Sequence, residues 1–181
     1  MDIFLDTGPI FGNVDHEDKF HPICISFYKE YPLDKHNFCT THYIVNKELK
    51  NILDNRQKKG NLRVKKTIRL IGQLSREMLS KIGDVDYRSH STFPPLYGNI
   101  NAFLEARKQD SNPKDRDAIL LTNAFLWDRF AMRCLQPKFF TTDKRDIGGD
   151  NKADLIANVE SLLRDPIRLD ICLLWDFENC G

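Results

Sequence analysis

Ile3-Phe4-Leu5-Asp6-Thr7-Gly8-Pro9 (residues 3–9) begins as a short apolar β-type run and stops at an acid. Gly8 and Pro9 break the strand and turn the chain, so Asp6 is predicted to stand at the carboxyl end of the first strand. In open α/β sheets, sites form at this edge because the strand ends and the following loops converge there. The stretch therefore predicts both a fold class and the position of a candidate site.

Alternating helix and strand patterns follow this opening. Apolar periodicity predicts helices over residues 20–31, 43–53, 100–108 and 153–163. A Ser-Asn-Pro signature predicts another helix start at Pro113, and short strands are predicted over residues 38–43, 139–142 and 167–175. Residues 83–98, with two prolines, are predicted to be a loop. This alternation predicts an α/β protein built as a sandwich around a parallel sheet.

The length and the net charge of the chain further limit the kinds of protein it can be. The chain has 181 residues, of which 41% are hydrophobic, and this suits one domain with one core. The formal net charge is +1, so any nucleic-acid footprint must come from local clustering. No apolar run approaches the roughly 20 residues needed to span a bilayer, and no signal peptide is recognised. We expect a soluble, cytoplasmic protein without membrane contact, whose five cysteines are reduced thiols.

Four acids occupy defined local settings. Asp6 and Asp143 end predicted strands, whereas Glu48 and Asp117 lie early on predicted helices. Carboxylates that converge raise one another's pKa, and a cation relieves their repulsion. The five histidines form neither HExxH nor a zinc-type cluster, so metal chemistry must rest on carboxylates, which suit Mg²⁺ and Mn²⁺. Taken singly, each acid could instead be a turn residue or a solvated helix residue.

The sequence around these acids resembles the motifs of PIN-domain ribonucleases. Phe4-Leu5-Asp6-Thr7 is similar to the opening strand of that family, and Val45-Asn46-Lys47-Glu48-Leu49 to its acid at a helix start. Asp117-Ala118-Ile119-Leu120 with Ala124 is similar to the third motif, and Phe140-Thr141-Thr142-Asp143 to the fourth. The resemblance implies a three-layer α/β/α sandwich with a mostly parallel central sheet. It also implies a metal-dependent endoribonuclease that hydrolyses RNA phosphodiester bonds.

Residue by residue, the resemblance makes Asp6, Glu48, Asp117 and Asp143 catalytic ligands of Mg²⁺ or Mn²⁺, directly or through water. It adds Asp146 or Asp115 as a candidate further ligand, and the hydroxyls of Thr7 and Thr142 as groups that orient carboxylates.

The sequence distinguishes between two pairs of alternatives. Asp117 is preferred to Asp115 because it shares a helix face with core residues, whereas Asp115 suits the helix start. A haloacid-dehalogenase phosphatase would need an acid where Gly8 stands, and no glycine-rich phosphate loop occurs.

The resemblance implies an RNA substrate and leaves the biological role open. The chain could be a toxin of a toxin–antitoxin pair, with an antitoxin or another protein as partner, or an RNA-processing nuclease, and it could form a homodimer. Extra length around residues 55–100 weakens the toxin assignment. The alternative is a catalytically inactive PIN fold that binds RNA or a protein.

A basic segment over residues 58–81 is the candidate RNA-binding surface. Its apolar residues Val64, Ile68, Ile71, Leu74 and Met78 predict a buried helix face opposite the charges. The candidate phosphate contacts are Lys58, Lys59, Lys65, Lys66, Arg69, Lys144 and Arg145. A solvated helix face is the alternative for such a charge run.

The end of the chain has two interpretations. Residues 1–166 are assigned to the nuclease domain, and residues 167–181 form either its last strand and tail or the start of a truncated second domain. The second interpretation rests on Trp175-Asp176-Phe177-Glu178-Asn179, which resembles the opening motif of NYN domains, relatives of PIN domains.

Overall fold

The central sheet is entirely parallel. The computed structural model describes residues 1–58, 64–108, 113–130, 136–145, 147–149 and 151–179. In these residues five strands lie side by side in the order β3-β2-β1-β4-β5. They are β1 Asp2–Leu5, β2 Asn37–Thr41, β3 Gly83–Val85, β4 Lys138–Thr141 and β5 Asp170–Leu173. The chain leaves β1 to one side for β2 and β3, then returns to its other side for β4 and β5.

Helices connect and cover the strands. Before β3 they are α1 Thr7–Val14, α2 His21–Glu30, α3 Leu49–Lys58 and α4 Val64–Gln73. A π-helical turn, Ile44–Glu48, leads into α3, and another, Leu74–Leu79, follows α4. After β3 come α5 Phe93–Arg107, α6 Asp115–Phe130, α7 Asn151–Leu163 and a terminal 3₁₀ helix, Leu174–Asn179. The α/β sandwich with a parallel sheet is thus confirmed.

The strand register divides the core into two apolar layers. Phe4 pairs with Phe139 on one face of the sheet, and its ring lies 5.2 Å from that of Trp127 in α6. Phe140 points to the opposite face, where its ring lies 4.8 Å from that of Phe27 in α2. Both faces are therefore covered, which explains why β1 is buried along its whole length.

Two predicted boundaries differ from the structure. Residues 83–98 were predicted to be a loop, but β3 begins at Gly83 and α5 begins at Phe93, ahead of the predicted start at residue 100. Pro94 and Pro95 lie in the first turn of α5, where a missing backbone N–H leaves no helical hydrogen bond unmade. The next helix begins at Asp115, two residues after Pro113.

The predicted apolar face of α4 was wrong for two residues. Ile68 is 65% exposed and Ile71 is 50% exposed. The buried line runs instead through Thr67, Leu70 and Leu74, and continues to Met78 in the π-helical turn. Because each residue turns a helix by about 100°, a side chain one position from this line faces outward.

The end of the described chain belongs to this sheet. β5 stops at Leu173, so the strand predicted over residues 167–175 is shorter than expected. The 3₁₀ helix then turns Leu174 and Phe177 into the core, and the Phe177 ring lies 5.8 Å from that of Phe27.

The described cysteines lie in the core. Cys24, Cys39 and Cys172 are buried and form no disulfide, as predicted, while Cys134 and Cys180 lie outside the described residues. Within the described ranges, no helix combines the length and the apolarity that crossing a membrane requires.

Candidate metal centre

The candidate site lies where the sheet order reverses. All strands are parallel, so their carboxyl ends share one edge, and the connections leave β1 and β4 in opposite directions. In sheets with this strand order, ligands usually bind between the two strand ends from which the connections diverge. Asp6 directly follows β1 and Asp143 follows β4 by two residues, so both acids lie at this position.

A threonine hydroxyl links the two strand ends. Asp6 caps α1 by accepting a hydrogen bond from the Thr7 backbone N–H at 2.6 Å, and its second carboxylate oxygen accepts one from the Thr141 hydroxyl at 2.6 Å. The same hydroxyl accepts a hydrogen bond from the Asp143 backbone N–H at 2.9 Å. Thr141 therefore fixes the orientation of Asp6 and the course of the chain at Asp143 together.

Asp6 carries a strongly perturbed carboxyl group. Burial and the neighbouring Glu48 raise its pKa from 3.8 to about 7, and Asp143 adds a smaller increase. The hydrogen bonds from Thr141 and Thr7 oppose the change without cancelling it. The Asp6 residue is only partly buried by surface area, although protein atoms crowd its carboxyl group. A proton or a cation can thus still reach an acid that is poorly neutralised by the protein itself.

Glu48 connects this pair to the fourth acid. It ends the π-helical turn after β2 and is partly buried. Burial raises its pKa, and the negative charge of Asp117 raises it further. Thr7 and Arg116 lower the pKa of Glu48 in part. The electrostatic interactions thus join Asp6 to Glu48 and to Asp143, and they join Glu48 to Asp117.

The site can be tested for its fit to a metal ion. Within the described part of the chain, no three His, Cys, Asp or Glu side chains form a ready-made metal-binding group. The donors are nevertheless carboxylate oxygens, the ligands that Mg²⁺ and Mn²⁺ prefer. The buried Thr7 hydroxyl lies near Glu48 and lowers its pKa, although it makes no hydrogen bond of standard geometry. The chemistry of the donor set fits a hard divalent cation.

The remaining predicted acids fall in different places. Asp115 is the first residue of α6 and is exposed, whereas Asp117, two residues later, is partly buried. This difference agrees with the preference for Asp117. Asp146 lies outside the described residues.

Gly8 brings α1 against the loop that carries Asp143. A Cβ atom at Gly8 would lie 2.2 Å from the Thr142 Oγ1 atom and 3.0 Å from its Cβ atom. Real Cβ atoms do not tolerate such distances, so only glycine permits this approach. Thr142, predicted to orient a carboxylate, thus packs against α1, and the hydroxyl that contacts Asp6 belongs to Thr141.

The basic residues predicted to bind RNA are not equivalent. Lys66 is engaged inside the protein, since its ammonium group lies 3.4 Å from buried Asp15 and also pairs with Glu17. The others that the structure describes are exposed: Lys58, Lys65, Arg69, Lys144 and Arg145. Lys59 lies outside the described residues.

Two features of this edge were missed by sequence reasoning. One is the Thr141 bridge, because Thr141 and Thr142 are adjacent and only the strand register decides which hydroxyl meets Asp6. The other is a pair formed by His42, just after β2, and Asp84 of β3, whose Nδ1 and Oδ2 atoms lie 2.5 Å apart. In both features, a polar residue at the end of one strand lies beside a neighbouring strand. Polar residues at predicted strand ends are the sequence signal that could have indicated them.

Comparisons with protein-family models, with curated proteins and with solved structures find no match to this chain.

Proposed function

We propose that this chain is a metal-dependent endoribonuclease that uses Asp6, Glu48, Asp117 and Asp143. One observation carries the proposal: Asp6, between the carboxyl ends of β1 and β4, has a pKa of about 7 because of its burial and the nearby Glu48 and Asp143 carboxylates. Perturbed acids that gather at a ligand-binding edge are candidates for function. The motif resemblance described above supports RNA as the substrate.

The roles of the residues follow from their contacts. Asp6, Glu48, Asp117 and Asp143 would hold Mg²⁺ or Mn²⁺, which activates water and neutralises charge on the phosphoryl oxygens when bound. Thr141 orients the Asp6 carboxylate, and the Thr7 backbone N–H fixes its other oxygen. Gly8 keeps α1 close enough to β4 for Asp6 and Asp143 to share the position between the two strand ends.

A second candidate function is a PIN-like fold that is catalytically inactive and binds RNA or a protein. The absence of a ready-made three-ligand group among the described side chains favours it. The two candidates differ in whether a divalent cation binds at Asp6 and supports cleavage.

Cleavage of single-stranded RNA should require Mn²⁺ or Mg²⁺ and should stop in EDTA. Asp117→Asn should lower the rate about a hundredfold, because one ligand loses its charge. The matched control is Asp154→Asn, since Asp154 is an exposed helix acid whose carboxylate lies 3.5 Å from Arg107. A gel assay of labelled RNA measures the rates. Cleavage that persists in EDTA, or equal rates for the two variants, contradicts the metal mechanism.

Binding of Mn²⁺ should weaken as the pH falls below about 7. Asp6 is protonated below its pKa of about 7, and a metal ion must displace that proton. The affinity should therefore fall about tenfold for each pH unit below that value, and change little above it. Calorimetry in two buffers of different ionisation enthalpy measures the affinity and the released proton together. An affinity that is equal at about pH 6 and about pH 8 would show that Asp6 is not a ligand.

A further inference from the structure

Trp175 is a tryptophan at the surface, close to the candidate site. It is 37% exposed, whereas Trp127, inside α6, is 4% exposed and belongs to the core. The residues around it hold it in place, because Leu174 and Phe177 of the same 3₁₀ helix are buried at 0% and 3% exposure. Trp175 is therefore an aromatic ring that a well-anchored segment presents to solvent.

The ring is part of a layered arrangement. The Trp175 and Phe20 rings lie nearly parallel, with 17° between their planes and 6.2 Å between their centroids. The Lys19 ammonium group lies 4.6 Å from the centroid of the Phe20 ring. A cation and two aromatic rings thus form one stack at the surface. An arrangement of this kind accepts another flat aromatic group readily, because offset stacking and cation–π attraction both favour it.

The position of Trp175 relative to Asp6 follows from the sheet. Leu173, the last residue of β5, pairs with Thr141 of β4, and Thr141 in turn holds Asp6. Trp175 comes two residues after Leu173, beyond the same edge of the sheet. Adjacent strands are spaced by about 4.8 Å, so β1 and β5 are separated by about 10 Å. Trp175 therefore lies beyond the same edge of the sheet as the acids, two strands away from Asp6.

The charges around Trp175 and those in the loop after Asp143 favour different parts of a nucleotide. Asp176 and Glu178 are exposed beside Trp175, and their carboxylates repel phosphate. Lys144 and Arg145 are exposed in the loop after Asp143, where a phosphate would be attracted. The group expected at Trp175 is thus an uncharged base, and the backbone is expected nearer to β4.

We propose that the stack of Lys19, Phe20 and Trp175 is a platform for an unpaired base of single-stranded RNA, next to the phosphate to be cut. The inference rests on the proposed nuclease function and specifies its substrate class. Stacking on aromatic side chains requires bases that are free of a duplex, and it tolerates every base because each has a flat face. Duplex RNA hides those faces and should not occupy the platform.

Tryptophan fluorescence tests the platform without requiring cleavage. A short oligouridylate, titrated in EDTA, should quench the emission of the protein, because Trp175 is exposed and Trp127 is buried. Trp175→Ala and Trp175→Phe both remove the reporting indole, so their Kd values are measured from the fluorescence anisotropy of end-labelled oligouridylate. Trp175→Ala should raise the Kd for this RNA about tenfold, as expected for the loss of one base-stacking contact. Trp175→Phe keeps a flat ring and should keep the affinity within about threefold. Thermal unfolding of both variants checks that they fold.

The outcomes separate this proposal from the nuclease proposal. The platform is supported if oligouridylate quenches the emission, a matched duplex does not, and Trp175→Ala loses affinity for oligouridylate. This holds even if Mn²⁺ induces no cleavage. Mn²⁺-dependent cleavage that Trp175→Ala leaves unchanged overturns the platform and leaves the nuclease. The platform is also overturned by an absence of quenching in the wild type, by equal quenching with duplex RNA, or by equal losses of RNA affinity in Trp175→Ala and Trp175→Phe.

Discussion

Asp6→Asn should abolish Mn²⁺-dependent cleavage and, at about pH 8 in EDTA, make the protein more stable than the wild type. Asparagine keeps one acceptor oxygen, enough for the hydrogen bond from the Thr7 backbone N–H or from the Thr141 hydroxyl but not for both. It carries no charge, so it cannot replace a carboxylate ligand. We expect the cleavage rate to fall at least a hundredfold. A variant that loses activity and gains stability is expected when the carboxylates of a site repel one another unless a cation neutralises them.

The gain in stability follows from the sign of the pKa change. The folded state raises the pKa of Asp6 from 3.8 to about 7, so it disfavours the ionised form. The contribution of this group to stability is fully present below about pH 4, decreases as the pH rises to about 7, and stays low above that. The difference corresponds to at most about 4 kcal/mol, and solvent contact of Asp6 should reduce it to about 2 kcal/mol. Asp6→Asn should remove this pH dependence.

Urea unfolding at about pH 5 and about pH 8 in EDTA measures both effects. Asp154→Asn, which removes an exposed acid, should leave the cleavage rate and the pH dependence as they are in the wild type. If Asp6→Asn were less stable than the wild type at the higher pH, the Asp6 carboxylate would be stabilised by its surroundings. The electrostatic account of the site would then be wrong.

Gly8→Ala should lower both stability and cleavage, although alanine normally favours a helix. The new methyl group would lie 2.2 Å from the Thr142 Oγ1 atom, and rotating that side chain still leaves its Cβ atom 3.0 Å away. The start of α1 or the loop after β4 must move, which should separate Asp6 from Asp143. We expect a loss of about 1–3 kcal/mol in the free energy of unfolding. A displacement of about 1 Å at the acids should lower the rate about a hundredfold.

Gly98→Ala is the matched control for this substitution. Gly98 lies within α5, and a Cβ atom there meets nothing within 4 Å. This variant should gain about 0.5–1 kcal/mol, the usual advantage of alanine over glycine in a helix. The double variant Gly8→Ala with Thr142→Gly should be less damaged than the sum of the two single changes. Strict additivity, or a stabilised Gly8→Ala, would mean that α1 and the β4 loop do not constrain each other.

Apolar runs and breakers predict the strands that carry the two strand-end acids. β1 and β4 are fully buried, and their apolar residues, Ile3-Phe4-Leu5 and Phe139-Phe140, are followed directly by polar residues. The same rule fails for β3, which is only three residues long, Gly83-Asp84-Val85, and has exposed positions that carry no apolar signal. Its place in the sheet depends on pairing with β2, which no local pattern encodes.

The sequence indicates the candidate acids, but it does not indicate the contacts that connect them. The positions of Asp6 and Asp143 follow from where strands end. The effect of Asp117 on Glu48 joins helices that are far apart in the sequence, and it depends on how those helices pack. Thr141 was missed because adjacent threonines are indistinguishable until the register is known. Hydrogen-bond partners across a sheet are therefore the part of a site that a single sequence leaves open.

The short β3 strand also bears on how copies of this chain can associate. An edge strand offers unpaired backbone groups to a neighbouring chain, but β3 offers only three residues, and two of them, Gly83 and Asp84, are exposed positions without apolar side chains. At the opposite edge, Asp170 of β5 is held by Lys138 and Lys152. Growth of the sheet from one molecule into the next is thus disfavoured at both edges. Association through the helices would instead find exposed apolar side chains in Ile68 and Ile71 of α4.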